Sequence, residues 1–176
     1  MIKNIINDLD QIRTTNVNEI PLYKDPLLPM VETIIKAGDS RKANNMCAYR
    51  ISHLTETTTF TIILEGNSRP QNQAIALAVE EDIVNKYQRQ ILKQGSAASG
   101  WILMDYGSVI VHIMTPQMRN FYKLEKKWKD GEIVDIKEWV TDDEKRKTYN
   151  SEDDSEMIND DEMIKQDVEE EDPFWK

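Results

Sequence analysis

The hydrophobic residues in the central part of the chain follow two different spacings. Residues 57–64 are dense in β-branched side chains and are apolar on both faces, which predicts a strand inside a sheet. Further along, Ser68 and Gln71 form a capping-box pattern, and Pro70 fits the first turn of a helix. An apolar residue then recurs at every fourth position, which predicts a long amphipathic helix with the stripe Ile75, Val79, Ile83, Tyr87 and Ile91.

Two apolar runs follow this helix. Residues 101–106 and 109–114 predict two strands, and Gly107 with Ser108 between them predicts a tight hairpin turn. The Gly- and Ser-rich residues 95–100 that precede the first run predict a loop.

A last helix is predicted after the hairpin. Thr115 stands at its N-cap position and Pro116 at its first position. The spacing predicts a buried stripe of Met118, Phe121, Tyr122 and Trp128, and a basic outer face of Arg119, Lys123, Lys126 and Lys127. No ribonucleoprotein motif accompanies these basic residues, so sequence-specific binding of RNA is not expected.

The order of the predicted elements defines the fold class. Residues 29–38 predict a short helix that ends at Gly38, and residues 45–51 predict a further strand. The order is then helix, strand, strand, helix, strand, strand, helix. It predicts an α/β domain with a single mixed β-sheet flanked by helices.

Charge is spread unevenly over the 176 residues. Residues 133–176 hold 17 acidic and six basic side chains, a net charge of −11, whereas residues 1–132 hold 15 acidic and 16 basic ones, a net charge of +1. The acidic clusters predict a mostly disordered C-terminal tail. We therefore divide the chain into a polar N-terminal arm (1–25), a folded domain (26–132) and an acidic tail (133–176).

Few residues point to chemistry. Cys47 is the single cysteine, so no internal disulfide is expected and a reducing compartment is favoured. His112 lies in an apolar strand, and the other histidine, His53, does not stand at a metal-ligand spacing from it. No nucleophile motif is present either. We predict no catalytic residue, no bound metal and no cofactor.

The sequence shows no sign of a membrane or transit segment. No apolar run reaches the ~20 residues that a membrane-spanning helix needs. The first ten residues contain two acids and no arginine, so no transit peptide is expected there.

Residues 101–125 carry a dense motif. It consists of Trp101, Leu103, Asp105, Tyr106, Gly107, Val109, Val111 and His112, followed by Arg119, Tyr122, Leu124 and Glu125. Together with Gly66 and Ser68 at the start of the central helix, this motif resembles the ribosomal silencing factor family, also called Iojap. The resemblance runs from residue 29 to residue 128, and residues 65–75 and 128–132 are most similar to plastid-type members from algae. It departs at residues 57–60, where many members carry Ala-Asp-Tyr-Phe.

The resemblance implies a fold like a degenerate nucleotidyltransferase and a protein that is not an enzyme. It implies binding to the large ribosomal subunit through ribosomal protein L-fourteen, with subunit joining blocked and translation repressed, or an escort role in assembly of that subunit. It also implies a homodimer of the free protein. The expected compartment is the plastid stroma, with the mitochondrial matrix or a bacterial-type cytoplasm as alternatives.

The motif residues are expected to have two kinds of role. One group combines polar and aromatic side chains typical of interfaces and is expected at the partner-binding surface or directly beneath it: Tyr106, His112, Arg119 and Tyr122. The other group is expected to hold the structure: Gly66, Ser68, Trp101, Asp105, Gly107 and Trp128.

Two other classes of function stay open from the residues alone. A nucleotidyltransferase-like nucleotide-binding enzyme needs further carboxylates near Asp105. Asp82 and Glu65 are the candidates, and both have the character of surface or helix-start charges. An adaptor would instead use the acidic tail and the aromatic pair Phe174 and Trp175 to recruit a partner.

Overall fold

The computed structural model describes residues 20–97 and 100–141. Within them lie four α-helices: α1 (Leu28–Ser40), α2 (Arg69–Tyr87), α3 (Pro116–Tyr122) and α4 (Leu124–Lys127). The strands are β1 (Asn44–Arg50), β2 (Phe60–Glu65), β3 (Lys93–Ala97), β4 (Trp101–Asp105), β5 (Val109–Met114) and β6 (Glu132–Ile133). Short 3-10 turns lie at Leu22–Lys24 and Lys137–Trp139. None of the described helices combines the length and apolar character needed to cross a bilayer.

The six strands form one mixed sheet with the order β3-β4-β5-β2-β1-β6. β2 and β5 run parallel to each other, and the other neighbouring strands pair antiparallel. β2 is buried along its whole length, as expected for a strand that is apolar on both faces. The single mixed sheet with flanking helices confirms the predicted α/β class.

Helices α1 and α2 cover one side of the sheet. The stripe predicted for α2 is confirmed at Ile75, Val79 and Ile83, which are all buried in the main core. The helix ends at Tyr87, because the next residue, Gln88, adopts a left-handed conformation with φ of 51°. Ile91 therefore lies beyond the helix, although it packs against the same core.

The described helices cover the opposite side of the sheet only in part. Helices α3 and α4 pack there over a smaller cluster formed by Cys47, Tyr49, Ile51, Ile63, Trp101, Met114, Met118 and Leu124. The alternation of β4 and β5 places four further residues on this side. They are Leu103, Asp105, Ile110 and His112; the first three are partly exposed and His112 is buried. We call these four residues the open face.

Both predicted N-caps are confirmed. Ser68 Oγ accepts a hydrogen bond from the backbone N–H of Gln71 (3.2 Å), and Thr115 Oγ1 accepts one from that of Met118 (3.4 Å). The Gln71 side chain accepts from the backbone N–H of Asn67 (2.8 Å), one residue earlier than in a regular capping box. These bonds satisfy N–H groups that the first turn of each helix would otherwise leave unpaired.

The predicted loop at residues 95–100 is wrong in its first part. Residues Lys93–Ala97 form the edge strand β3, which pairs antiparallel with β4 from Lys93 opposite Asp105 to Ala97 opposite Trp101. Its small and polar side chains have little preference for strands. The backbone bonds to β4 do not depend on side chains, and they determine the structure here.

The helix predicted after the hairpin is divided in two. Lys123 adopts φ of 48° between α3 and α4, which ends α3 at Tyr122.

The predicted basic outer face is wrong for Arg119, which is only 5% exposed. Helix α3 turns this residue toward the sheet, where carboxylates pair with it. The lysines of that face are exposed.

The packed unit is longer than the predicted domain of residues 26–132. Strand β6 pairs with β1, and Val134 and Ile136 behind it are buried in the main core. At the other end, Asp25 Oδ2 accepts a hydrogen bond from Arg50 Nη1 at 3.2 Å. Residues 1–19 of the predicted arm and 142–176 of the predicted tail, including the aromatic pair assigned to an adaptor, lie outside the described residues.

Candidate functional site

The hairpin of β4 and β5 brings Trp101 and His112 together. Both side chains lie on the α3 side of the sheet, where Trp101 pairs with Met114 and His112 with Leu103. The indole Nε1 of Trp101 donates a hydrogen bond to Nδ1 of His112 at 3.2 Å, and the ring centroids are 5.7 Å apart. Both residues are buried, at 1% and 7% exposure.

An aromatic row leads from this pair toward the surface. The ring of Tyr122, at the end of α3, lies 4.7 Å from that of Trp101, measured between centroids. Phe121 meets Tyr122 edge-on at 5.1 Å. Both Phe121 and Tyr122 are partly exposed. Tyrosine side chains with an apolar body and a polar tip are common in protein interfaces.

Arg119 is the centre of a buried polar network beneath this row. Its Nε pairs with Glu125 of α4, and its Nη1 lies 3.5 Å from Oε1 of Glu65 at the end of β2. The same Nη1 also donates to the backbone carbonyl of Asn45. Nη2 donates to Sγ of Cys47 at 3.4 Å. One guanidinium therefore joins α3 to α4, β1 and β2.

A bulge in β1 supplies one acceptor of this network. The pairing register of β1 shifts between Asn44 and Cys47, and Asn45 there has φ of 46°. The Asn45 side-chain Nδ2 donates to Oε2 of Glu65 at 2.9 Å. β-Bulges commonly re-aim backbone and side-chain groups in this way.

Burial determines the protonation states in this region. It lowers the pKa of His112 to about 4, with a smaller contribution from the nearby charge of Lys127, so His112 is neutral at pH 7. Burial also raises the pKa of the Cys47 thiol to about 11, and the charge of Arg119 offsets this only partly. Cys47 is accordingly a protonated thiol and not a nucleophile at neutral pH.

Tyr106 lies apart from the other predicted partner-binding residues. It is 2% exposed and belongs to the main core on the side of α1 and α2. Burial, together with the charge of Glu80, raises the pKa of Tyr106 to about 12. Its hydroxyl is fully enclosed and has no hydrogen-bond partner within residues 20–97 and 100–141. The structure thus brings His112, Arg119 and Tyr122 together and places Tyr106 on the opposite side of the sheet.

The residues expected to hold the structure have local contacts. The Asp105 carboxylate closes the hairpin turn by accepting the backbone N–H of Gly107 at 2.7 Å, and Gly107 has φ of 85°. Trp128 packs against the smaller cluster, with Lys127 Nζ 5.0 Å from its ring centroid. A Cβ atom added to Gly66 would lie 1.9 Å from Oδ1 of the buried Asn72, so Gly66 permits close packing at the start of α2.

The carboxylates named for a nucleotidyltransferase do not converge. Asp105 stands opposite Ile110, whereas Glu65 stands beside Met114, four residues further along β5 and roughly 13 Å away. Asp82 belongs to α2, which packs on the other side of the sheet. The description of Glu65 as a surface or helix-start charge is wrong, because it is a buried partner of Arg119. In residues 20–97 and 100–141, no group of three or more His, Cys, Asp or Glu side chains is arranged to hold a metal ion.

Sequence reasoning missed some residues of this site. Leu103 and Ile110 give the open face its apolar character, yet in the sequence they read as ordinary strand residues. Glu125 stands six positions after Arg119, and this spacing is the one feature of the sequence that could have indicated the buried ion pair. The contribution of Asn45 depends on the bulge and leaves no sequence signal.

Comparisons with known proteins agree with this architecture. A family model described as ribosomal silencing factor during starvation matches residues 24–162. Ribosomal silencing factor RsfS of Halalkalibacterium halodurans is 30% identical over 108 residues, which are 61% of this chain and 92% of that protein. Protein Iojap, chloroplastic, of Zea mays is 30% identical over 109 residues, 62% of this chain and 47% of that protein. The chain belongs to the ribosomal silencing factor family.

A solved structure shows the same fold. The crystal structure of a protein from Chromobacterium violaceum matches with a TM-score of 0.56 at 27% sequence identity. The match covers 58% of this chain and 86% of that one.

Proposed function

We propose that this protein binds the large ribosomal subunit through ribosomal protein L-fourteen and sterically blocks joining of the small subunit, which represses translation. Membership of the ribosomal silencing factor family supports a role on the ribosome. The observation that carries the proposal is the gathering of motif residues at one partly covered side of the sheet: His112 and Tyr122 lie there, with Arg119 beneath.

The open face and the aromatic row have the composition of a docking surface. Leu103 and Ile110 offer apolar area, and Phe121 and Tyr122 offer partly exposed aromatic rings. Burial of such side chains at the centre of an interface supplies most of its binding energy. Arg119 is buried beneath this surface and acts as its support, whereas Tyr106 belongs to the core on the opposite side of the sheet.

Steric exclusion requires a complementary surface and no chemical step. A bound protein prevents subunit joining when it occupies surface that the small subunit needs. The neutral His112 and the protonated Cys47 fit this role, since neither is activated as a base or nucleophile at neutral pH.

We propose the plastid stroma as the compartment. The chloroplast relative supports it, and the bacterial relative fits an action on ribosomes of bacterial type.

The first test is sedimentation of the purified protein with separated large and small ribosomal subunits. We expect the protein to co-migrate with the large subunit and not with the small one. When both subunits are mixed, we expect the protein to reduce the formation of complete ribosomes. Leu103→Asp and Tyr122→Ala are each expected to weaken binding at least tenfold, since they place a charge in the interface or remove an anchoring ring.

Leu77→Asp is the matched control. Leu77 is 53% exposed on α2, on the opposite side of the sheet, so the same apolar-to-acidic change there should leave binding intact. Absence of co-migration at low salt would contradict the proposal. If Leu77→Asp weakened binding as much as Leu103→Asp does, the docking surface would have to lie elsewhere.

A further inference from the structure

The two ring nitrogens of His112 have different surroundings. Nδ1 lies 3.2 Å from the indole Nε1 of Trp101. Nε2 has no hydrogen-bond partner among the described residues. Among the described residues, the fully enclosed side-chain polar atoms without a partner belong to Thr61, Asn72 and Tyr106, and not to His112. His112 is 7% exposed, so the ring keeps a small opening on the side of the sheet that carries the open face, and Nε2 is its unpaired nitrogen there.

The contact with Trp101 fixes the tautomer of His112. An indole N–H can only donate a hydrogen bond, so Nδ1 must accept it and carries no proton. A neutral imidazole without a proton on Nδ1 has its proton on Nε2. The ring thus presents an N–H donor, and not an acceptor, at the open face.

We propose that the open face binds a segment of a partner protein that presents a backbone carbonyl or side-chain amide oxygen to the Nε2–H of His112. Trp101 acts as the positioning residue that keeps the proton on Nε2. This inference rests on the proposed function, because the partner it describes is the protein met on the large subunit.

A protein acceptor fits this face better than an RNA phosphate. Leu103 and Ile110 flank His112 with apolar side chains, which favours a partner surface that is itself partly apolar. The neutral imidazole offers no charge to a phosphate. The one cation close enough to influence His112 among the described residues is Lys127, and the Asp105 carboxylate on the same face offsets it, so the face has no net positive charge to attract a phosphate. Once a partner covers the face and excludes water, a neutral hydrogen bond there is stronger than at an exposed site, and leaving the donor unpaired is more costly.

The tautomer can be measured directly on the full chain. Two-bond 1H–15N correlation of the imidazole separates the protonated from the unprotonated ring nitrogen. We expect the proton on Nε2 in the wild type, and loss of this preference in Trp101→Phe, which keeps a ring but removes the donor. Trp128→Phe is the matched control, because Trp128 packs against the same cluster and makes no hydrogen bond to His112. A wild-type proton on Nδ1 would overturn the proposal.

Binding to purified large subunits tests the partner contact. His112→Gln keeps an N–H donor on a side chain of similar reach, whereas His112→Leu removes it. We expect His112→Leu and Trp101→Phe to weaken binding about tenfold, and His112→Gln to retain most of the affinity. Equal binding by the wild type and His112→Leu would overturn the contact.

The two measurements separate the possible failures. If the wild type does not bind large subunits, the proposed function and the partner assignment both fall. The 15N result would still decide whether Trp101 fixes the tautomer. The wild-type spectrum and the two His112 variants decide the proposal even if Trp101→Phe does not fold.

Discussion

Arg119 of α3 and Glu65 of β2 face each other inside the protein, with 3.5 Å between Nη1 and Oε1. Both side chains are buried, and Glu125 binds the same guanidinium from α4. One cation therefore lies between two carboxylates that are far apart in the sequence. The position of α3, and with it that of Tyr122, depends on this network.

Replacing Arg119 by leucine is expected to lower the free energy of unfolding by about 3–5 kcal/mol. The change leaves two buried carboxylates without their cation, and removing one partner of a buried ion pair has a cost of this size. Urea denaturation followed by far-UV circular dichroism measures the effect.

Lys123→Leu is the matched control for this prediction. Lys123 is an exposed basic residue that follows the same helix, so its replacement should change stability by no more than about 0.5 kcal/mol. A loss below 1 kcal/mol in Arg119→Leu would show that the buried network is not what holds α3 in place.

Arg119 also shows where sequence reasoning fails. Helical spacing placed it with Lys123, Lys126 and Lys127 on a solvated face, which is the usual location of basic residues on a helix. Its partner Glu65 comes from a distant strand, and the Asn45 carbonyl that also accepts from it depends on a bulge. Neither of these two contacts has a local signal, so the sequence offers only Glu125, six positions after Arg119, as an indication of the pairing.

Other parts of the fold could be predicted because their cause is local. The cap at Ser68 and the buried stripe from Ile75 to Ile83 follow from spacing and side-chain chemistry within a few turns. Strand β3 could not be predicted, because its small polar residues are held by backbone bonds to β4. The open face likewise depends on which half of the sheet α3 and α4 cover.

Cys47 is expected to react slowly with alkylating reagents in the native protein. It is 8% exposed and its pKa is about 11, so the thiolate fraction at pH 8 is roughly 100-fold lower than for a cysteine with the ordinary pKa. Iodoacetamide labelling followed by mass spectrometry measures the rate. The urea-unfolded chain is the reference, since Cys47 is the single cysteine. Native and unfolded rates within tenfold of each other would contradict this account.

Gly66→Ala is expected to destabilise the protein by about 1–3 kcal/mol, because the added methyl group overlaps Oδ1 of Asn72. Asn72 is 1% exposed, so its side chain has little room to move away. The test is a double-mutant cycle with Asn72→Ala, followed by thermal unfolding. The cost of Gly66→Ala should be clearly smaller in the Asn72→Ala background. Equal costs in both backgrounds would mean that the overlap is relieved elsewhere.

The protonation of His112 makes stability depend on pH. Its pKa is about 4 in the folded protein, compared with the ordinary value of 6.5, because burial disfavours the charged ring and Lys127 adds to this. The unfolded state therefore binds a proton at higher pH than the folded state does, so stability falls as the pH drops from 6.5 toward 4. The loss attributable to His112 approaches about 3 kcal/mol at the lower end.

Urea denaturation between pH 4 and pH 7 isolates this effect when the wild type is compared with His112→Gln. The variant lacks the titrating ring, so its stability should fall less over this range, while the carboxylates contribute equally to both proteins. His53→Gln is the control: His53 is exposed, and its ring contacts the backbone carbonyl of Asp130 through Nε2 at 2.8 Å. Parallel curves for the wild type and His112→Gln would show that the ring enters the folded state without losing its proton. In that case the hydrogen bond from Trp101 to Nδ1 would be lost below about pH 6.5, since a protonated Nδ1 has no lone pair to accept the indole N–H.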